Sequence, residues 1–199
     1  MSEKLREASI VRSTKETSIE VKLAIDGSGE GSIETQVPFL NHMLNLFATH
    51  GNFDLTINAS GDTYIDDHHT VEDVGICLGK AFSEALGDKS GINRYGSQIV
   101  PMDEALARVV IDISNRPFLV YRTVKIKDRI GTFETELVPE FFRAFVNNSG
   151  ITLHVIGEYG DNSHHVIEAI FKAWGRAMDE ATRVDPRLQG KVKSSKGVL

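Results

Sequence analysis

DDHHTVEDVG (residues 66–75) and DNSHHVIEAI (residues 161–170) carry the same triplet: two adjacent histidines and, after two intervening residues, a glutamate. His68, His69 and Glu72 recur as His164, His165 and Glu168, each displaced by 96 positions. Imidazole together with carboxylate is a ligand set for transition metals. One histidine pair at a helix start is ordinarily a solvated cap. Two matched pairs, each with its glutamate, read as metal ligands, and their repetition reads as an internal duplication that copied the metal site with the chain.

The segments around each copy repeat in the same order. SIEVKLAI (18–25) alternates apolar and polar residues, as a half-buried strand does, and Gly27, Gly29 and Gly31 mark a turn into GSIETQV. FLNHMLNLFATH (39–50) places Phe39, Leu40, Met43, Leu44 and Phe47 on one helical face, with Gly51 as the expected C-terminal cap. FDLTINASG (53–61) reads as a strand, and Asp66 or Asp67 caps a helix that runs to about Leu86. In the second half YGSQIVPM, EALARVVIDIS and FLVYRTVKI read as strands, ETELVPEFFRAFVNNSG as a helix and ITLHVIGE as a strand. Asn162 or Ser163 caps the last helix, from about 164 to 181. The predicted fold is α/β, an α+β two-layer sandwich of two ββ(β)αβα halves with sheet on one side and helices on the other. The halves cover about residues 8–88 and 92–184, and residues 185–199 form a polar tail.

A second offset adds two candidate ligands. Shifting the middle helix of each half by 98 superposes Phe39, Leu40, Met43, Leu44 and Phe47 on Leu137, Val138, Phe141, Phe142 and Phe145, and sets Glu140 opposite His42. Each half then offers four groups: His42, His68, His69 and Glu72 in the first, and Glu140, His164, His165 and Glu168 in the second. Alone, Glu140 is equally a solvated helix-start residue. Successive helical residues diverge by about 100°, so adjacent histidines are badly placed to hold one ion together. They suit two ions, each drawing on both halves or on two subunits. Nitrogen with carboxylate oxygen suits Mn, Fe, Ni or Zn, and the lack of thiolates argues against a closed structural zinc site.

Composition narrows the classes. At 199 residues, 41% hydrophobic and 25% charged, the chain has the composition of a globular domain or two fused half-domains. A net charge of −6 with no basic block disfavours nucleic acid. There is no apolar run of the ~18 residues a membrane span needs, and MSEKLREASIVRS lacks a signal core. The single cysteine, Cys77, reads as a buried apolar residue, which agrees with a cytoplasmic location. Other polar residues are less specific alone. Arg94 and Arg116 lie at loop or strand ends, Lys172 falls one turn beyond Glu168 on the same face, and Ser194, Ser195 and Lys196 make a small, basic tail suited to phosphate. His50 suits the C-terminal end of its helix, His154 reads as structural, and Asp103 is either a turn residue or a site carboxylate.

PFLNHML, DDHHTVED, GINRYG, PMDEAL, DISNRPF, NSHHVIEAIFKA and SSKGVL, in this order, resemble the motif series of the imidazoleglycerol-phosphate dehydratases of histidine biosynthesis. The resemblance runs from about Ala8 to the C-terminus and lacks the motifs of a fused phosphatase, as in the monofunctional form. It implies a 24-subunit shell with sites at subunit interfaces and two Mn²⁺ per site. One ion would use His42, His69, His164 and Glu168; the other would use His68, Glu72, His165 and Glu140, where many members have a histidine. The implied reaction is dehydration of imidazole glycerol phosphate to imidazole acetol phosphate through a metal-bound imidazolate and a diazafulvene-like intermediate. Glu16 would transfer the proton, with His69 and Glu168 also in the catalytic set. Arg94, Arg116, Lys172, Ser194, Ser195 and Lys196 would hold the phosphate end, and Glu16, His42, His50, His68, Glu72 and His164 would contact substrate. Two rivals use similar residues: a binuclear hydrolase, and a metal-binding shell protein without turnover.

Overall fold

The computed structural model describes residues 6–197. Residues 1–5, which open the segment read as lacking a signal, and 198–199, which end SSKGVL, lie outside the described residues. Alternating patterns become strands as expected. In β2 (Thr17–Ala24), Ile19, Val21 and Leu23 are buried while Ser18 and Lys22 face solvent. The first sheet orders β1 (Glu7–Ser13), β2, β4 (Asp54–Gly61) and β3 (Gly31–Glu34) as β1-β2-β4-β3, with only β3 and β4 parallel. The second orders β5 (Tyr95–Met102), β6 (Ala105–Ile113), β10 (Ile151–Tyr159) and β7 (Phe118–Thr123) as β5-β6-β10-β7, with only β7 and β10 parallel. Order and strand sense therefore repeat. A short hairpin, β8 (Arg129–Ile130) and β9 (Phe133–Glu134), is an addition of the second half.

Each parallel pair needs a crossover. Helix α1 (Pro38–Gly51) supplies it between β3 and β4, and α3 (Leu137–Ser149) lies between β7 and β10. Helices α2 (His68–Leu86) and α4 (Ser163–Thr182) follow β4 and β10 and cover the first and second sheets. Across the halves, α2 packs on α3 and α1 on α4, so the helical layers meet and the sheets lie outside. Trp174 sits at this seam, stacked on Phe47 at 3.8 Å and edge-on to Phe141, Phe142, Phe145 and Phe171. Among the described residues no helix is long and apolar enough to cross a membrane.

The seam is close because glycine permits it. A Cβ on Gly175 would lie 2.6 Å from the Phe47 carbonyl oxygen, and one on Gly79 would lie 2.5 Å from that of Phe145. Gly79 and Gly175 are 96 apart, and Phe47 and Phe145 are 98 apart, the offsets of the ligand triplets and the middle helices. The caps repeat too. The Asp66 carboxylate accepts from the His68 N–H at 2.8 Å, and the Asn162 side chain accepts from the His164 N–H at 2.9 Å. At the end of α1 the expected cap is displaced by one residue: Gly51 stays helical, and Asn52 takes the left-handed conformation at φ 56°. Gly51 is small for another reason, since a Cβ there would meet the Phe53 ring and the Gly175 carbonyl.

The helix starts collect at one end of the molecule. Phe39 lies 5.0 Å from Phe133 and 5.3 Å from His164, ring centre to ring centre. Pro38, His68 and Leu137 line one cleft there. Gly175→Ala is expected to cost about 1–3 kcal/mol by overpacking and to lower the melting temperature. An unchanged melting temperature would contradict the close approach of α1 and α4.

Candidate active site

Helix periodicity carries His42 to the face of α1 that meets α4, and it puts His164, Glu168 and Lys172 on one stripe of α4. His164 Nε2 lies 3.2 Å from Glu168 Oε2, and His42 Nε2 lies 3.8 Å from the same oxygen. One ligand atom from each of the three residues falls within 4.8 Å of the other two; among the described residues this is the group of three that could hold an ion. Glu168 is 7% exposed and bonds Lys172 Nζ through Oε1 at 2.7 Å. Burial works to raise the Glu168 carboxyl, but the Lys172 bond and charge, with His42 and His164, hold it below its ordinary value. The carboxylate is thus kept ionised, the form that could hold a cation.

Adjacent histidines do diverge. His164 faces Glu168 whereas His165 faces Glu104, and His69 faces Asp62 whereas His68 lines the cleft with Leu137. His69 Nδ1 faces the Asp62 carboxylate at 3.0 and 3.2 Å, and that bond raises its pKa above the usual histidine value; burial opposes, and nearby Glu16 adds to the rise. His165 Nδ1 lies 2.7 Å from Glu104 Oε2, which likewise raises His165 and brings Glu104 down to about 2. Of the first expected ligand set, His42, His164 and Glu168 come together, while His69 stands apart beside Asp62. The second set does not converge within the chain. Glu72 is exposed, His68 lies in the cleft with Leu137, and Glu140 is paired with Arg143 at 2.6 Å.

Glu16 occupies the β1–β2 turn, and the turn is tied down. The Glu16 N–H donates to Thr14 Oγ1 at 3.1 Å, and the Asp62 N–H donates to the Glu16 carbonyl at 3.1 Å. Beneath it the Thr17 hydroxyl donates to Asp73, which also takes Arg12 Nε at 3.0 Å. The carboxylate of Glu16 makes no hydrogen bond or ion pair among the described residues, and it is exposed. His50 sits farther along α1. Burial first, then the Lys172 and Arg176 cations, lower its pKa, and Glu168 opposes them.

Arg94, Arg116 and Lys196 lie at the other end, whereas Lys172, expected with them at the phosphate, lies in the cluster against Glu168. Arg94 is 9% exposed, bonds Asp112 through Nε at 2.7 Å and Nη2 at 3.1 Å, and donates Nη1 to the Lys193 carbonyl at 2.8 Å. Arg116 Nη2 reaches the same Asp112 at 3.2 Å. Beyond Lys193, Ser194 to Gly197 close a tight turn, with the Lys196 N–H on Ser194 Oγ at 3.2 Å. The Arg94 N–H donates to the Ala181 carbonyl near the C-terminal end of α4. His164 begins the same helix, so about 25 Å of helix axis separates the arginines from the histidine cluster.

Comparison with known proteins places this arrangement. Residues 35–178 match the family Imidazoleglycerol-phosphate dehydratase. The chain belongs to that family. It is 62% identical over 194 residues to the imidazoleglycerol-phosphate dehydratase of Pelobacter propionicus, covering 98% of this chain and 99% of that one. It is 60% identical over 195 residues to that of Bacillus subtilis, covering 98% and 100%. The crystal structure of the Staphylococcus aureus dehydratase superposes with a TM-score of 0.82 at 44% identity, over 90% of this chain and 99% of that one. That of the Pyrococcus furiosus protein gives 0.82 at 39%, over 96% and 100%. The likeness extends across both halves, so the fold of this dehydratase family is the fold described above.

Sequence reading missed Asp62, Glu104, Asp112 and Asp73. Asp103, singled out from PMDEA, is the turn residue, with φ 48°, and its neighbour Glu104 meets the histidine. His154 lies exposed on the outer face of the second sheet. Lys172→Met is expected to raise the pKa of His50, because a neighbouring cation that disfavours the imidazolium is removed. A histidine NMR titration checks this, and an unmoved or lowered His50 would contradict the proximity.

Proposed function

We infer that the chain is a hydro-lyase of histidine biosynthesis, converting imidazole glycerol phosphate to imidazole acetol phosphate with two Mn²⁺ per site. What carries the reading is the convergence of His42, His164 and Glu168 in a chain that matches dehydratases over 98% of its length. Two imidazole nitrogens and a carboxylate without thiolate suit Mn, Fe, Ni or Zn, and the family resemblance implies Mn²⁺ among them. His69 from a second copy would complete this set. His68, Glu72, His165 and Glu140 would hold the other ion, and Glu140 would have to release Arg143 to do so.

When bound, the two ions would supply Lewis acidity to the substrate imidazole, which lets the ring expel the adjacent C3 hydroxyl without a neighbouring carbonyl. The chain's own residues do the rest. Lys172 keeps Glu168 ionised, and Glu16 takes the C2 proton on a turn held by Thr14, Thr17 and Asp73. Arg94 and Arg116, gathered by Asp112, with Lys196, Ser194 and Ser195 on the tail, bind phosphate. Lys172, also expected at the phosphate, is held by Glu168, and His50 would contact substrate. The C3 hydroxide and C2 proton leave as water, and the resulting enol becomes the ketone.

Assembly follows from distance. A three-carbon chain joins the imidazole to the phosphate of this substrate, and it cannot bridge about 25 Å between His164 and Arg94. On our reading different copies supply the two ends of each site in a homo-oligomer, and the resemblance to the dehydratase family implies that this oligomer is a 24-subunit shell. We assign the enzyme to the cytoplasm, where the lone buried thiol of Cys77, its pKa pushed up to about 11 by burial, stays reduced.

Metal-free protein is expected to lose dehydration of imidazole glycerol phosphate and to regain it with Mn²⁺. Full turnover in verified metal-free protein would contradict the reading, and release of inorganic phosphate would favour a hydrolase. Composite sites have their own test: His164→Asn and Arg116→Ala, each inactive alone, regain activity when co-assembled. No recovery in mixed oligomers would place both ends of the site in one chain.

A further inference from the structure

The two halves hold their second histidine with carboxylates from different places. His69 and His165 are equivalent, 96 positions apart. The β1–β2 turn and the β5–β6 turn are also equivalent, since β1-β2 and β5-β6 occupy the same places in the two sheets. Glu16 immediately precedes β2 and Glu104 immediately precedes β6. By topology, then, Glu16 and Glu104 are the same residue of the duplicated unit, but they are used differently. Glu104 takes His165 Nδ1 at 2.7 Å and the Asn162 N–H at 2.8 Å. In the first half that task has passed to Asp62, in the loop between β4 and α2, at 3.0 and 3.2 Å from His69 Nδ1. Glu16 is left without a side-chain hydrogen bond or ion pair among the described residues.

We propose that Asp62 and Glu104 are positioning residues that fix His69 and His165 with the proton on Nδ1 and the Nε2 lone pair turned outward for metal, and that Asp62, by taking His69, frees Glu16 for chemistry. The physical basis is that a neutral imidazole has one donor and one acceptor nitrogen, and an ionised carboxylate can only accept. A carboxylate at Nδ1 therefore selects the tautomer whose Nε2 can ligate, and it fixes the ring plane before any ion arrives. Two independent carboxylates converge on the same ring atom of equivalent histidines. A cap or surface role for either acid would not require that coincidence. The inference rests on the ligand reading of the preceding section, and its test separates the two.

In metal-free protein labelled with ¹⁵N-histidine, magic-angle-spinning NMR at a pH where both rings are neutral should show His69 and His165 protonated at Nδ1. Finding either ring protonated at Nε2 in the wild-type chain overturns the proposal without any variant. Glu104→Ala and Asp62→Ala should each free one ring from that tautomer and weaken Mn²⁺ binding, measured calorimetrically, by about 10–100-fold. Glu104→Gln and Asp62→Asn keep an acceptor oxygen and should restore most of the affinity, with oligomer size unchanged. Alanine variants that assemble, keep the tautomer and bind Mn²⁺ like wild type would also overturn it. If the wild-type chain binds no Mn²⁺ while both tautomers are as stated, the ligand reading fails and the positioning of the rings stands.

Discussion

The contact of α1 with α4 across Gly175 is the constraint on which the site depends. His42 and Glu168 belong to different halves, and neither half alone could bring them within 3.8 Å. The backbone carbonyl of Phe47 can approach Gly175 because no side chain stands between them. Phe47 itself stacks on Trp174, so the same turn of helix that sets the distance also anchors the core. Packed interiors do not deform continuously, so this seam fixes one geometry for His42, His164 and Glu168. Buried Glu168 is then tolerable because Lys172 and two imidazoles offset the cost of removing its charge from water.

Duplication explains both the likenesses and the differences. Offsets of 96 and 98 recur in the ligands, the caps and the seam glycines, so the halves share one plan of sheet, crossover and second helix. The α2–α3 seam repeats the α1–α4 seam, but Glu140 there pairs with Arg143 and leaves no counterpart of the His42–His164–Glu168 cluster. Likewise Glu16 and Glu104 occupy equivalent turn positions and face different neighbours. One seam thus keeps its candidate ligands together across the two halves, and the other leaves them apart.

Much of this was legible in the sequence because it is periodic. Alternation marked the main strands, and the apolar stripe marked α1 and α3; the i to i+4 spacing placed Lys172 on Glu168. Divergence of adjacent histidines followed from helix geometry alone. The hairpin β8–β9 escaped because two-residue strands are too short to show a period. Asp62 and Glu104 escaped because a carboxylate in a turn looks like any turn residue; only the fold brings it to a histidine 7 or 61 positions away. Asp112 escaped within a strand whose polar residues are expected to face water. The separation of Arg94 from His164 by about 25 Å of helix axis depends on α4 running between them, which no local pattern shows.

The central claim is that each site is built from several copies of the chain around two metal ions. Crystals grown with Mn²⁺ and measured at its absorption edge would test it most directly through an anomalous-difference map. The account predicts two peaks per site, one bound by His42, His164 and Glu168 of one chain and by His69 of a neighbour, with Arg94 and Arg116 of another copy facing the site. A single peak, or ligands drawn wholly from one chain, would contradict it.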